Sequence, residues 1–393
     1  MLVISRHFGP RLAVAALSAA LVGAACGGTS TASPSAPAPA PAATSTPAAT
    51  AAGALKFPAN VTFGHSFCYL NNEGMQIYHN SEIAAAQSLG WKTLQATASG
   101  NSPSQQLTDV NTLVTQGANV IAIVPCDSAA IIPAVQKAAA AGVAVVMIDI
   151  GAGGGKGISV VADEVQAGTL ACQGLVPALK QARGGKASGS VVQIQGEITS
   201  DAAQGRTKGF EDCIKQDAPD VRIITVPTKF WNPTEGANGL QTTVAAHPDI
   251  VGVYMQSDTQ YWTGTKRVLQ DAGLLKKVGE SGHVVVVGVD GGTGMLQGMR
   301  DGFADADVSQ PKTTYFLQAL PFAAIALSQG VDKLASIDTN AYKPLTVTVT
   351  ADGGLYVKAP NILVTAATAS DTGLWGNSTC SKEVKGCPTA PPK

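Results

Sequence analysis

From Asn60 onward the chain alternates short apolar runs with helical stretches, and that alternation limits the possible folds more than any other feature. VTFGHSF (61–67), WKTLQAT (91–97), VIAIVP (120–125) and VAVVMID (143–149) are rich in β-branched or apolar residues and read as strands. Between them lie helix-length segments. SPSQQLTDVNTLVTQG, for example, puts Leu107, Val110, Leu113 and Val114 on one helical face. Gly90, Gly117 and Gly142 follow these helices, where C-caps belong. Strands and helices repeating at roughly thirty residues predict right-handed βαβ units and a parallel sheet.

A second series starts after Asp163, with strands at VVQIQG (191–196), RIITV (222–226), GVYMQ (252–256) and VVVVGVD (284–290). The expected fold is therefore α/β, with two similar Rossmann-like halves. A helix near 312–329 and late strands near 345–350 and 361–365 would complete the first half if the chain crosses back.

The first residues do not share this pattern. Arg6, His7 and Arg11 precede an apolar run from Leu12 to Val22, too short to span a bilayer and suited to a cleaved export signal over 1–25. Leu21-Val22-Gly23-Ala24-Ala25-Cys26 resembles a bacterial lipobox, which would make Cys26 an acylated membrane anchor. Gly23 and Ala25 also suit ordinary signal cleavage. Residues 26–58 are rich in Ser, Thr, Ala and Pro and read as an extended stalk. Besides Cys26 there are six cysteines, an even number that suits an oxidising compartment, and spacing alone leaves fifteen pairings open. Net charge is −1 with no basic stripe, which argues against a nucleic-acid partner.

Open parallel sheets bind ligands beyond the carboxyl ends of their strands. Polar and aromatic residues recur at those ends here. Asn72 and Glu73 follow the first strand, and Asp149 ends the fourth. In the second series the strand ends are followed or closed by Trp231 and Asn232, by Ser257 and Asp258, and by Asp290. Carboxylates accept from hydroxyls and an indole stacks on a sugar face, so the recurrence points to a cleft for a small polar ligand. The competing reading makes the aspartates turn caps, Trp231 a packed loop aromatic, and Gln204, Asn232 and Asp258 solvated loop groups.

Enzymatic readings find little support. The glycine run from Gly151 to Gly157 lacks the P-loop pattern, there is no GxSxG elbow, and the five histidines show no ligand spacing. His65 reads as a core histidine. Asp149 and Asp290 could in principle serve as paired carboxylates of a glycoside hydrolase. No cofactor and no metal are expected.

The segments LNN (70–72), DVNTLVTQGANVIAIVPCDSAAIIPAVQKAAAAGVAVVMID, AAQGRTKGFEDC, AAHPDIVGVYMQSD and VVVVGVDGG resemble the type-1 periplasmic binding proteins of the ribose-binding group over about 59–366. The resemblance implies two lobes joined by a three-strand hinge and closing on a sugar or polyol for an ABC permease. Presentation of the ligand to a membrane receptor is the alternative. The resemblance implies a first lobe over 59–162 plus 311–366, a second over 163–310 and a tail over 367–393, and the expected monomer would be held on the outer face of the cell membrane by Cys26. It further implies that Asp149, Asp290 and Gln310 hydrogen-bond sugar hydroxyls, that Trp231 stacks on the ring, and that Asn72 stands at the cleft mouth. Ser257 occupies a position where the family usually has Asn. Ile150 and Gln204 stand where the family has arginines, with Arg206 nearby, which argues against ribose itself. The same alignment implies disulfides Cys68–Cys126, Cys172–Cys213 and Cys380–Cys387.

Overall fold

The computed structural model describes residues 55–390. The expected export signal over 1–25, Cys26 and most of the expected stalk lie outside the described residues. The chain opens with β1 (Thr62–Phe67), α1 (Glu73–Ser88), β2 (Lys92–Thr93), β3 (Thr97–Ala98), α2 (Pro103–Thr115), β4 (Val120–Val124), α3 (Ile132–Ala140), β5 (Ala144–Ile148) and β6 (Ile158–Ala162). It continues through α4 (Glu164–Ala182), β7 (Gly189–Gln195), α5 (Asp201–Asp217), β8 (Val221–Pro227), α6 (Pro233–Ala246), β9 (Ile250–Met255), α7 (Asp258–Asp271), β10 (Val285–Asp290), α8 (Thr293–Arg300) and β11 (Ala306–Ser309). α9 (Tyr315–Gln329), β12 (Thr346–Val349), β13 (Leu355–Ala359) and β14 (Ile362–Thr365) complete it.

Two sheets result. The first has the order β12-β13-β6-β5-β4-β1-β2, with β3 also on β1, and the second β14-β11-β10-β9-β7-β8. Every pairing is parallel except β12 with β13 and β14 with β11. In each sheet the chain winds outward first one way and then the other. That leaves a reversal between β1 and β4 and another between β7 and β9, where open α/β sheets form crevices. All five residues of both β4 and β5 are buried, because helices cover both faces and the strands need no polar alternation.

Departures from the sequence reading occur at the sheet edges. WKTLQAT keeps only the short β2 and β3, since an outer strand pairing on one side has few buried positions to hold it. ISVVA (β6), ADVS (β11) and LYVKA (β13) are strands beyond those the sequence pattern predicts. β14, expected to complete the first half, pairs instead with β11 in the second sheet, because the chain crosses between the sheets once more after Ala359. That crossing is stitched by Asn361, whose backbone N–H donates to Gln166 and whose side chain donates to the Asp163 carbonyl, both at 2.8 Å.

Local capping fixes several helix starts. Ser102 caps α2 ahead of Pro103, and Asn232 caps α6 ahead of Pro233. α4 and α5 lie unusually close. A Cβ on Gly168 would sit 2.2 Å from the Arg206 carbonyl oxygen, and one on Gly209 2.0 Å from that of Val165. Disulfides join Cys172 to Cys213 across this helix pair, Cys68 to Cys126 at the ends of β1 and β4, and Cys380 to Cys387 in the tail. The tail packs back on the fold, with the Trp375 indole N–H donating to the Asp290 carbonyl at 2.7 Å and Asn80 donating to that of Cys380 at 2.6 Å. Among the described residues no helix is long and apolar enough to cross a membrane.

Candidate functional site

The carboxyl ends of the two sheets meet. Glu73, at the start of α1, accepts from the backbone N–H of Thr293 at the start of α8 at 3.0 Å. Gln260 on α7 donates to the Tyr69 hydroxyl at 3.1 Å. Asp201, opening α5, accepts from the Gly151 N–H at 3.1 Å and from the Tyr356 hydroxyl. Burial pushes the Asp201 carboxyl up to about 6, although its hydrogen bonds from Tyr356 and Gly151 favour the ionised form.

Six non-glycine residues among those described have positive φ, and three of them, Asp149 (68°), Trp231 (57°) and Asp290 (137°), lie with Lys312 and Arg206 at this seam, while Phe230 (49°) directly precedes Trp231. Such conformations persist only where surrounding contacts enforce them, and they gather at ligand clamps and active sites.

Asp149 and Asp290 come from opposite sheets and are both buried. Asp149 accepts from the Tyr78 hydroxyl at 2.6 Å. One oxygen of Asp290 accepts from the Ser257 and Thr259 hydroxyls at 2.6 and 2.7 Å, and the other accepts from Gln310 at 3.3 Å. Burial opposes ionisation of Asp290, but Lys312 and Arg206, together with the two hydroxyls, outweigh it and hold the carboxyl below its ordinary range. Gln310 is fixed in turn by Tyr315, whose hydroxyl donates to its side-chain oxygen at 3.0 Å.

Two buried cations complete the cluster. Arg206 grips both oxygens of Glu164, at 2.7 and 3.2 Å, and its guanidinium lies 5.4 Å from the centre of the Trp231 ring. Burial lifts the Glu164 carboxyl to about 7 even against that guanidinium. Lys312 donates to Tyr78 at 2.6 Å and lies 3.3 Å from Asp290 and 3.6 Å from Asp149. Burial works against its charge, and the two carboxylates more than restore it, so its pKa stands above the ordinary value.

The remaining expected residues divide. Trp231 is 5% exposed and packs with Ile150 in one apolar cluster, directly over Gly196. Asn72 caps α1 through the Met75 N–H at 2.8 Å. Both keep a buried N–H donor, Trp231 Nε1 and Asn72 Nδ2, that meets no acceptor among the described residues. Three others serve the framework. Gln204 is exposed and donates to the Ile198 carbonyl at 2.8 Å, because a helical step of two turns it away from the side that Arg206 faces. Asn232 spends its oxygen on the N–H groups of Thr234 and Glu235. Asp258 holds the Gly291 and Gly292 N–H groups, at 2.9 and 3.1 Å, and burial followed by the charges of Asp307 and Asp290 pushes its pKa well up.

Lys312, Tyr78, Tyr315 and Glu164 escaped the sequence reading. Lys312 had one available signal, as a lone charge two residues past Gln310 on a segment joining the halves. His65 is buried against Glu82 at 3.1 Å, and burial lowers its pKa to about 4, as suits a core histidine. Among the described residues no three His, Cys, Asp or Glu side chains are placed to hold a metal ion.

Residues 63–329 match the family described as periplasmic binding protein domain. The chain is 30% identical over 251 residues to the ribose import binding protein of Bacillus subtilis, covering 63% of this chain and 76% of that one. A carbohydrate transporter solute-binding protein from Agrobacterium radiobacter, solved with D-arabinose, superposes with a TM-score of 0.64 at 25% identity over 80% of this chain and 97% of that one. An ABC transporter periplasmic solute-binding protein from Actinobacillus succinogenes, solved with D-allose, gives a TM-score of 0.64 at 20% identity over 79% and 100% of the two chains, a likeness of fold.

Proposed function

The chain belongs to the periplasmic binding protein domain family, and from that premise we propose that it is the extracytoplasmic solute-binding protein of an ABC importer for a neutral sugar or polyol. The observation that carries this reading is the seam itself. Two buried carboxylates from opposite sheets, Asp149 and Asp290, stand with the orphaned donors of Asn72 and Trp231 in a site closed by contacts between the halves. A hydroxyl donates and accepts at one atom, so a polyol can satisfy carboxylates and amide or indole N–H groups together. The names of the relatives, ribose import for one and D-arabinose bound for another, support the same ligand class.

The mechanism is a population shift. A ligand touching both halves makes more contacts when they are closed, and so favours the closed form that a permease would read. The family's role is binding for transport, and no covalent step is assigned to any residue. Cys26 as lipid anchor, a monomeric state and a place on the outer face of the membrane rest on the sequence alone. Mass spectrometry of the mature N-terminus tests the anchor.

The direct test is a thermal-shift screen of the exported domain against D-ribose, D-arabinose, D-allose, myo-inositol, nucleosides and amino acids. A ligand at about 100 times its Kd adds roughly 2.7 kcal/mol of stability. One sugar or polyol should shift the wild type and leave Asp290→Ala unmoved. A shift from a nucleoside or amino acid alone would keep the fold and overturn the ligand class.

A further inference from the structure

Among the described residues Lys312 is the only cation within 4.0 Å of both Asp149 and Asp290. It sits on the segment that leads from β11 to α9, 2% exposed, with the Tyr78 ring 4.8 Å and the Trp375 ring 5.9 Å from its ammonium. Its position has a consequence for what those carboxylates can still accept. A carboxylate offers about four acceptor sites. Ser257 and Thr259 use one oxygen of Asp290, and Gln310 and Lys312 crowd the other, with Arg206 also 3.6 Å away. Asp290 is therefore filled by the protein, and a ligand reaches it by displacing a longer contact such as that of the ammonium. The displaced ammonium stays buried and keeps Tyr78 and Asp149, but it loses its nearer carboxylate, and an acceptor on the ligand makes good that loss.

One kind of ligand atom meets both demands. A hydroxyl donates to the carboxylate it has freed and accepts from the lysine it has displaced. A protonated amine donates but accepts nothing, and it would set another positive charge beside Lys312 and Arg206. A ligand carboxylate accepts from Lys312 but brings a further negative charge to Asp149 and Asp290. From this geometry we infer that Lys312 is a specificity-determining residue of the cleft, admitting neutral polyols and excluding their amino counterparts. The inference rests on the solute-binding reading given above and sharpens its ligand class.

The experiment pairs D-ribose, D-arabinose and D-allose with their 2-amino-2-deoxy counterparts, in buffer acidic enough to keep the amines protonated, and measures Kd by calorimetry. The wild type should prefer the neutral member of a pair by roughly tenfold or more. Lys312→Met should lose that preference or reverse it, because the sugar ammonium takes the place of the missing one, and Lys312→Arg should retain it. Lys312→Gln, which removes the charge and keeps a hydrogen-bonding end, serves as the second uncharged variant, and circular dichroism checks the fold of each. An unchanged preference in both uncharged variants overturns the role of Lys312 and leaves the sugar-binding reading standing. A wild type that prefers the amine overturns it as well. A wild type that binds no member of any pair, and no polyol of the thermal-shift panel, overturns the sugar reading and this inference together.

Discussion

Asp201 shows how one residue can tie closure to pH. Its carboxyl is caught between the halves by Gly151 and Tyr356, and burial raises its pKa from 3.8 to about 6. A carboxyl whose folded pKa is raised binds its proton more tightly in the fold. Its contribution is therefore complete below 3.8 and is lost as pH climbs through about 6. Asp201→Asn cannot ionise. In urea titrations, the stability of the wild type relative to this variant should fall between those two pH values and level off above them. A difference that stays flat across the window would show that Asp201 is solvated. The residue-scale reading of the sequence marks side chains that end a strand, such as Asp149 and Asp290, and both lie buried where the two sheets meet. It does not separate Gln204 from Arg206, two positions apart on one helix, because only the packing of α5 decides which of them faces inward.

The pairing of α4 with α5 is the element that delivers the Glu164–Arg206 pair to the site. Gly168 on one helix and Gly205 and Gly209 on the other let the backbones approach until added Cβ atoms would collide. Cys172–Cys213 then crosslinks the same two helices. Gly209→Val should destabilise the protein by about 1–3 kcal/mol, the usual cost of overpacking, because the obstacle is the rigid backbone oxygen of Val165. Chemical denaturation measures it, and a cost no larger than that of an exposed helical Gly→Val change would mean the helices stand further apart. The spacing of Gly205 and Gly209 is visible in the chain, but with 43 glycines present it does not announce a helix crossing.

At the scale of the whole molecule, closure depends on a few contacts between the halves. Tyr69 with Gln260 and Glu73 with Thr293 are hydrogen bonds spanning them. At about 1 kcal/mol each, losing both moves the open–closed ratio roughly thirtyfold. Tyr69→Phe combined with Glu73→Ala should therefore enlarge the radius of gyration of the ligand-free protein in small-angle scattering, and a bound sugar should reverse it. An unchanged radius would show that Asp201 and the buried Lys312 cluster hold the halves without them. The tail takes part as well, since Trp375 supports the Asp290 carbonyl and Asn80 holds the disulfide-closed turn against α1.

The sequence by itself determined the α/β class, the two sheets and the strand ends that carry Asp149, Trp231 and Asp290. Hydrophobic periodicity and turn chemistry are local, and they specify elements and the positions where elements stop. Tertiary structure decided what those ends meet. It placed β14 in the second sheet, brought Lys312 between two aspartates more than a hundred residues apart in the chain, and turned Asp258 from a ligand candidate into a brace for the Gly291–Gly292 backbone. Burial, neighbouring charge and competition for hydrogen bonds exist only once distant segments share a volume. No pattern within one segment records them.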